Sequence, residues 1–173
     1  MSLRDFIKKL EKENNFLRIK KQVSTDYYLH KRGNKMSLTS IFQEKTFEIF
    51  AFVKNEYGFE FESINDHLII ARKQDMNLYF IFDRGVIFSV EIEVTGALGE
   101  RAIQNPNYRV LGTSTMAECI DSGYKLKVKK IRNESDLLSE IQEEARVLRK
   151  YCDKILAGDV SDWERIVNCL LER

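Results

Sequence analysis

Carboxylate side chains on two alternating segments are the first candidates for chemistry in this sequence. Glu91 and Glu93 fall on one side of the run VIFSVEIEV, and Glu60 and Glu62 alternate in the same way in FEFES. Carboxylates that cluster on a sheet face can bind a divalent cation or act in acid–base catalysis. The favoured alternative is a solvated sheet face, paired with lysines on neighbouring strands. Glu91 and Glu93 are candidate partner-binding residues, and so are four residues of a basic run later in the chain, Lys125, Lys127, Lys129 and Arg132.

The densest basic run lies in and just after the segment YKLKVKKI (124–131), whose alternation predicts an edge strand. Together with the basic residues of FLRIKKQV (16–23), this run could form a phosphate-binding patch. It lacks the interleaved aromatic residues of common RNA-binding motifs, and lysines on an edge strand also prevent unwanted sheet pairing. Nucleic-acid binding is therefore the second hypothesis. The basic residues are Lys125, Lys127, Lys129, Lys130 and Arg132.

Motifs for catalysis are absent from the sequence. There are only two histidines, His30 and His67, and they are not at the helical spacing that a zinc protease site needs. His67 follows Asp66, which could mimic a metal-binding or acid–base pair, but a strand-start residue is the favoured interpretation. The glycines of TGALGE lack the spacing of a phosphate-binding loop. We therefore predict no enzyme activity, metal or cofactor, with a site near the 95–114 loop as the enzyme alternative.

Composition indicates an ordinary globular protein. The chain has 173 residues, and 43% of them are hydrophobic, which is enough for a core. The net charge of +1 excludes a general polyanion-binding character. No apolar run approaches the roughly 20 residues of a membrane span, and there is no signal-peptide core. Cys119, Cys152 and Cys169 are too few for a disulfide framework, so the sequence predicts buried, reduced thiols in a cytoplasmic protein.

Four alternating segments follow one another in the middle of the chain. FEFES (59–63), HLIIARK (67–73), MNLYFIFD (76–83) and VIFSVEIEV (86–94) are separated only by short turns. Since parallel strands need long crossovers, these segments predict an antiparallel meander. The fold class is therefore α+β, with an antiparallel sheet of about four to six strands.

Long amphipathic helices are predicted before and after these strands in the sequence. The segment Asn133–Ala157 carries one apolar stripe, and an aromatic helix is predicted for Ile41–Tyr57 with a capping box at Ser40 and Gln43. Both are expected to pack on one face of the sheet, and the C-terminal region is expected to be helical. Gly58 and Gly158 are placed to end helices.

The N-terminal segment is predicted to be separate from the rest of the chain. Residues 3–13 predict a short helix and 16–23 a strand, followed by a stretch with no clear period. We predict an N-terminal helix–strand appendage at 1–35 and a single α+β domain at 36–173.

Residues 38–173 resemble small uncharacterised bacterial α+β proteins, some of which are suspected toxin-immunity proteins. The motifs that carry this resemblance are EYGF (56–59), FDRG (82–85) and ILAGDVSDWERI (155–166). It implies a protein-binding role and transfers no site residues.

A second resemblance covers only LRDFIKKLEKENNFLRIKKQVSTD (3–26), which is similar to the opening of UbiD-type decarboxylases, enzymes that use a prenylated flavin. The rest of the chain departs from that family and is far shorter, so the decarboxylase activity is not transferred. The leading hypothesis is a protein-binding module, of the toxin-immunity kind. The expected partner is another protein.

Overall fold

The computed structural model describes residues 37–102, 108–125 and 129–172, and the side chains of 101 and 102 are outside this description. The predicted helix at 3–13, the predicted strand at 16–23 and the boundary at 35/36 lie outside the described residues and stay predictions. The helices are α1 (Leu38–Ile49), α2 (Ala51–Tyr57), α3 (Gly96–Ala102), α4 (Thr113–Ile120), α5 (Glu134–Tyr151), α6 (Asp153–Leu156) and α7 (Trp163–Leu171). The strands are β1 (Glu60–Asn65), β2 (Leu68–Lys73), β3 (Met76–Asp83), β4 (Ile87–Val94) and β5 (Val110–Gly112).

The described strands form one antiparallel sheet in the order β1-β2-β3-β4-β5. The four predicted segments are β1 to β4, so the predicted meander is confirmed. In the β2–β3 and β3–β4 turns, Gln74 and Arg84 adopt positive φ values of 43° and 51°, which lets the chain reverse within a few residues. The α+β fold class is likewise confirmed.

Alternation along β3 and β4 directs one set of side chains into the core. Phe80 and Phe82 in β3 are fully buried, and the ring of Phe42 from α1 lies 5.5 Å from that of Phe82. The ring centroid of Phe50 lies 4.6 Å from that of Phe80. Helix α5 contacts α1 and β4. Burying so many aromatic rings is the main favourable contribution to folding, since each removes a large apolar area from water.

The aromatic helix predicted for Ile41–Tyr57 is divided into α1 and α2. Phe50 leaves helical geometry, with φ −91° and ψ 13°, while its ring is fully buried in the core. The predicted capping box is also wrong. Ser37 caps α1 by accepting from the amide of Ser40, and Gln43 donates instead to Ser63 Oγ and to the Asn65 carbonyl of β1, both at 3.2 Å.

The long predicted helix is α5 followed by α6, with the break at Cys152. The Cys152 backbone has φ −112° and ψ 5°, and its side chain is fully buried. Gly158 adopts the left-handed conformation predicted for it, with φ 96°, and Gly58 does the same after α2, with φ 77°. Tertiary packing therefore interrupts a segment that is amphipathic throughout.

Asn133 caps α5, and its removal provides a local stability test. Its side-chain oxygen accepts from the amide of Asp136 at 3.0 Å. We expect Asn133→Ala to lower the free energy of unfolding by about 1 kcal/mol, because that amide loses its partner. Ser135, two residues further on, lies exposed within the first turn of α5. Ser135→Ala is therefore the control, and urea titration showing equal losses for both variants would contradict this assignment.

The stretch 95–114, predicted as irregular, contains regular structure at both ends. It includes α3, β5 and the start of α4, and residues 103–107 lie outside the description. Helix α4 begins at Thr113, directly after β5, and α7 begins at Trp163, whose indole donates to the Tyr108 carbonyl at 3.0 Å.

The prediction of three reduced cysteines is wrong for two of them. Cys119 in α4 and Cys169 in α7 form a disulfide with a Cα–Cα distance of 5.9 Å. Cys152 is a buried free thiol, as predicted, and burial raises its pKa to about 12. The two bonded residues are 50 positions apart in the sequence, so their pairing depends on how α4 and α7 pack together.

Candidate functional site

The sheet face opposite Phe80 and Phe82 carries both polar and apolar side chains, and we call it the polar face. Strand register places Glu93, Asn77, Arg72 and Glu60 in one row across the sheet. A second row runs through Glu91, Tyr79, Ile70 and Glu62. The polar face of β1 to β4 comprises Glu60, Glu62, Leu68, Ile70, Arg72, Asn77, Tyr79, Ile81, Asp83, Ile87, Ser89, Glu91 and Glu93.

The four carboxylates predicted to be neighbours share this face but lie at its two sides. Glu60 and Glu62 are in β1, three strand spacings from Glu93 and Glu91 in β4, which corresponds to roughly 14 Å. One cation cannot bridge such a distance. The described residues contain no group of three or more histidine, cysteine or carboxylate residues that could hold a metal ion. The carboxylates therefore make a charged border, not a cluster.

Glu93 is buried, with 5% of its surface exposed, and its carboxylate accepts two hydrogen bonds from neighbouring side chains. Tyr79 donates its hydroxyl to Glu93 Oε2 at 2.5 Å, and Asn77 donates its amide to the same oxygen at 2.8 Å. Burial and this bond to a carboxylate raise the pKa of Tyr79. Glu93 thus positions Tyr79 and is not an exposed contact, contrary to its choice as a candidate binding residue.

Glu91 is half-buried beside the apolar part of the polar face. Burial raises the pKa of its carboxyl. Between Glu91 and the β1 carboxylates lie side chains that are half-buried or buried, namely Leu68, Ile70, Tyr79 and Ile81. The polar face therefore has an apolar strip in its centre, bordered by acidic groups.

The β1 border of the polar face is exposed. Glu60 accepts from Lys54 Nζ at 2.8 Å, and Glu62 accepts from the Arg72 guanidinium at 3.2 Å. Exposed ion pairs of this kind contribute at most about 1 kcal/mol, so Glu60 and Glu62 can exchange these cations for others at little cost.

The predicted basic edge strand is not formed in the residues described here. Lys125 and Lys129 to Ile131 have no strand conformation, and Lys127 lies among the undescribed residues 126–128. The segment is held by other contacts: Ile131 is buried and its amide bonds to the Val86 carbonyl at 2.8 Å. Lys125, Lys129 and Arg132 are exposed.

Some of the predicted basic surface is neutralised locally. Lys129 lies 3.5 Å from the Asp136 carboxylate, and the Arg132 amide donates to the same carboxylate at 3.1 Å. The start of α5 therefore compensates charge where the sequence suggested an uninterrupted cationic run.

His67 has a structural role in the turn between β1 and β2. Its amide bonds to the Asn65 side chain at 2.8 Å, and its Nδ1 lies 3.1 Å from the Phe82 carbonyl. The imidazole thus ties β2 to β3, which matches the strand-start interpretation.

Glu144 is a buried carboxyl that the sequence interpretation missed. It lies on α5 with 8% of its surface exposed and contacts the first residues of α4. Ser114 donates its hydroxyl to Glu144 Oε1 at 2.7 Å, and Thr113 Oγ1 lies 2.5 Å from Oε2. A signal was present: Glu144 follows Ile141 by three positions and precedes Leu148 by four, which places it on the apolar stripe.

The hydrogen bonds around Glu144 indicate a protonated carboxyl. Thr113 Oγ1 also lies 3.1 Å from the Val90 carbonyl, but a hydroxyl has only one hydrogen to donate. Both contacts are satisfied when Glu144 donates to Thr113 and Thr113 donates to Val90. The pKa of Glu144 is raised overall. Burial raises it most, hydrogen bonds that Thr113 and Ser114 give to the ionised form lower it, and the nearby carboxylates of Glu140 and Glu143 raise it.

A surface groove lies next to this buried cluster. Its volume is about 510 Å³, and Tyr124 connects it to Glu144, since the Tyr124 hydroxyl lies 3.3 Å from Ser114 Oγ. The groove is large enough for a small ligand. It is lined by Glu118, Cys119, Ser122, Tyr124, Lys125 and Cys169.

Comparison with protein-family models, with curated proteins and with solved structures finds no match for this chain. The resemblances to immunity-like proteins and to the decarboxylase N-terminus therefore stay expectations. Within the helices of the described ranges, none is both long and apolar enough to cross a membrane.

Proposed function

We propose that this protein is a protein-binding module that docks a basic partner segment on the polar face. The observation that supports this proposal is the apolar strip at Tyr79 and Ile81, with the half-buried Glu91 on one side of it and the exposed Glu60 and Glu62 on the other. Apolar centres with charged rims are the usual anatomy of protein interfaces. The acidic rim favours a partner with lysine or arginine side chains around an apolar anchor.

The hydrogen bonds of Tyr79 support its role as the anchor. The Tyr79 hydroxyl donates to Glu93 Oε2, and the Asn77 amide donates to the same oxygen. The hydroxyl is therefore held in one position before a partner binds. Aromatic residues that are rigid before binding lose little side-chain entropy on association. Neutralisation of a toxin is the biological role that agrees with the immunity-like resemblance.

Charge reversal at the β1 border tests this proposal without disturbing the core. We expect Glu60→Lys/Glu62→Lys to weaken binding of the partner about tenfold, because two attractive contacts become repulsive. Glu93→Lys is unsuitable, since it would bury a cation beside Tyr79. The measurement is capture from a lysate of the source organism on the immobilised full chain, followed by affinity measurement with the identified protein.

The matched control is Glu164→Lys/Glu172→Lys, which makes the same change of net charge at exposed positions in and just after α7. The proposal requires that the wild type and this control retain one basic protein that the β1 variant loses. Equal retention by all three chains would refute the polar face as the binding site. Retention of nucleic acid that is lost in high salt would instead favour the basic segment.

A further inference from the structure

We propose that the groove at the Cys119–Cys169 disulfide is a site of thiol–disulfide exchange with small thiols that carry a carboxylate. This inference does not depend on the polar face. The two sulfur-bearing residues are half-buried and both line the groove, so an attacking thiolate has access to the bond.

The helices joined by this disulfide have anchors of their own. Helix α4 is held through Thr113 and Ser114, which bond to Glu144, and Met116 is fully buried. Helix α7 is held by Trp163, which is fully buried and donates to the Tyr108 carbonyl. Opening the bond therefore leaves both helices seated in the core, so the folded protein can exist in both redox states.

Exchange must involve an external thiol. Among the described residues the remaining cysteine is Cys152, which is fully buried and is held as a neutral thiol by its surroundings. It cannot attack the bond without unfolding. In the step we propose, a small thiolate attacks the sulfur of Cys119 or Cys169, a mixed disulfide forms, and the other cysteine leaves as a thiolate that takes up a proton. A second small thiol then releases the first cysteine, giving a dithiol protein and an oxidised small disulfide.

Lys125 indicates the class of thiol. Its exposed ammonium group lines the groove together with the side chains of Ser122 and Tyr124. An ammonium group favours a ligand that carries a carboxylate. A cysteine-containing small peptide has this group, and a groove of about 510 Å³ can hold one.

The experiment uses the purified, oxidised full chain in native buffers with a graded ratio of reduced to oxidised glutathione. Free thiols are alkylated at equilibrium and assigned by peptide mass spectrometry. We expect Cys119 and Cys169 to become alkylated together as the ratio rises, with an unchanged circular dichroism spectrum and no alkylation of Cys152. Cys119→Ser should accumulate a glutathione adduct at Cys169. Alkylation of all three cysteines only in denaturant would overturn the proposal, as would free Cys119 and Cys169 in fully oxidised glutathione.

Recognition of the thiol is tested by comparing rates. Lys125→Gln should slow reduction by glutathione about two- to fivefold, the range expected for one exposed charge pair, and should leave reduction by uncharged 2-mercaptoethanol unchanged. Lys130→Gln, at an exposed position outside the groove lining, is the control. Equal effects on both reagents, or none on either, would show that the groove does not recognise charged thiols.

Discussion

Glu144→Gln is expected to make the protein less sensitive to rising pH than the wild type. Burial raises the pKa of the Glu144 carboxyl in the folded state above its ordinary value of 4.5, which the unfolded chain keeps. Below pH 4.5 both states carry the proton, and this group then costs no stability. As pH rises from there, the unfolded state ionises first, so the wild type loses up to about 1.4 kcal/mol per pH unit until the folded carboxyl also ionises.

Urea titration from pH 4.5 to pH 8 gives the free energy of unfolding of the wild type and of Glu144→Gln. The difference between the two values measures this effect, because the contributions of the other titrating groups cancel. The glutamine introduced by Glu144→Gln has an amide that can donate to Thr113 and a carbonyl that can accept from Ser114, so the loss at pH 4.5 should be below about 1 kcal/mol. Glu144→Ala should lose about 2–4 kcal/mol there, because it leaves two buried hydroxyls unpaired and a cavity.

Parallel pH profiles for the wild type and Glu144→Gln would contradict a neutral Glu144. The control is Glu172→Gln at an exposed position of the chain, which should follow the wild type throughout.

The second large effect is expected from the disulfide between α4 and α7. Replacing both cysteines, as C119S/C169S, should lower the free energy of unfolding by about 4 kcal/mol, since the unfolded chain is freed from a closed loop that spans 50 positions. The measurement is guanidinium titration of both chains under oxidising conditions.

Repeating the titration with a reductant provides the internal check. The wild type should then approach C119S/C169S, and the variant should be unaffected by the reductant. A wild type with equal stability in both conditions would show that the bond does not constrain the unfolded chain. The reduced protein should still unfold cooperatively, because the fully buried Met116 and Trp163 hold α4 and α7 in the core without the bond.

Local pattern determined much of this fold. The alternation in MNLYFIFD (76–83) and its neighbours specified each strand and the side that faces the core, and short turns left only antiparallel pairing. The apolar stripe in α5 predicted a long helix that packs one of its faces against the rest of the protein. These signals are local because the repeats of a strand and of a helix are properties of the chain itself.

The positions of the helix breaks and caps did not follow from the local sequence pattern. Phe50 and Cys152 interrupt segments that are periodic throughout, and each is fully buried where its helix stops. Ser37 and not Ser40 caps α1, since Gln43 bonds across to β1. These choices depend on which surface each residue meets, and a neighbouring element can outweigh a small local preference.

Across the candidate sites, the sequence by itself placed Glu60, Glu62, Glu91 and Glu93 on one face, because strand alternation is local. It did not show that Glu93 is buried under Tyr79 and Asn77, or that the sheet separates the two pairs of carboxylates. The neutral Glu144 and the disulfide groove were decided only by the tertiary structure. Each joins residues that are tens of positions apart, and burial, which sets both a pKa and the access of a thiol, exists only after those elements have packed.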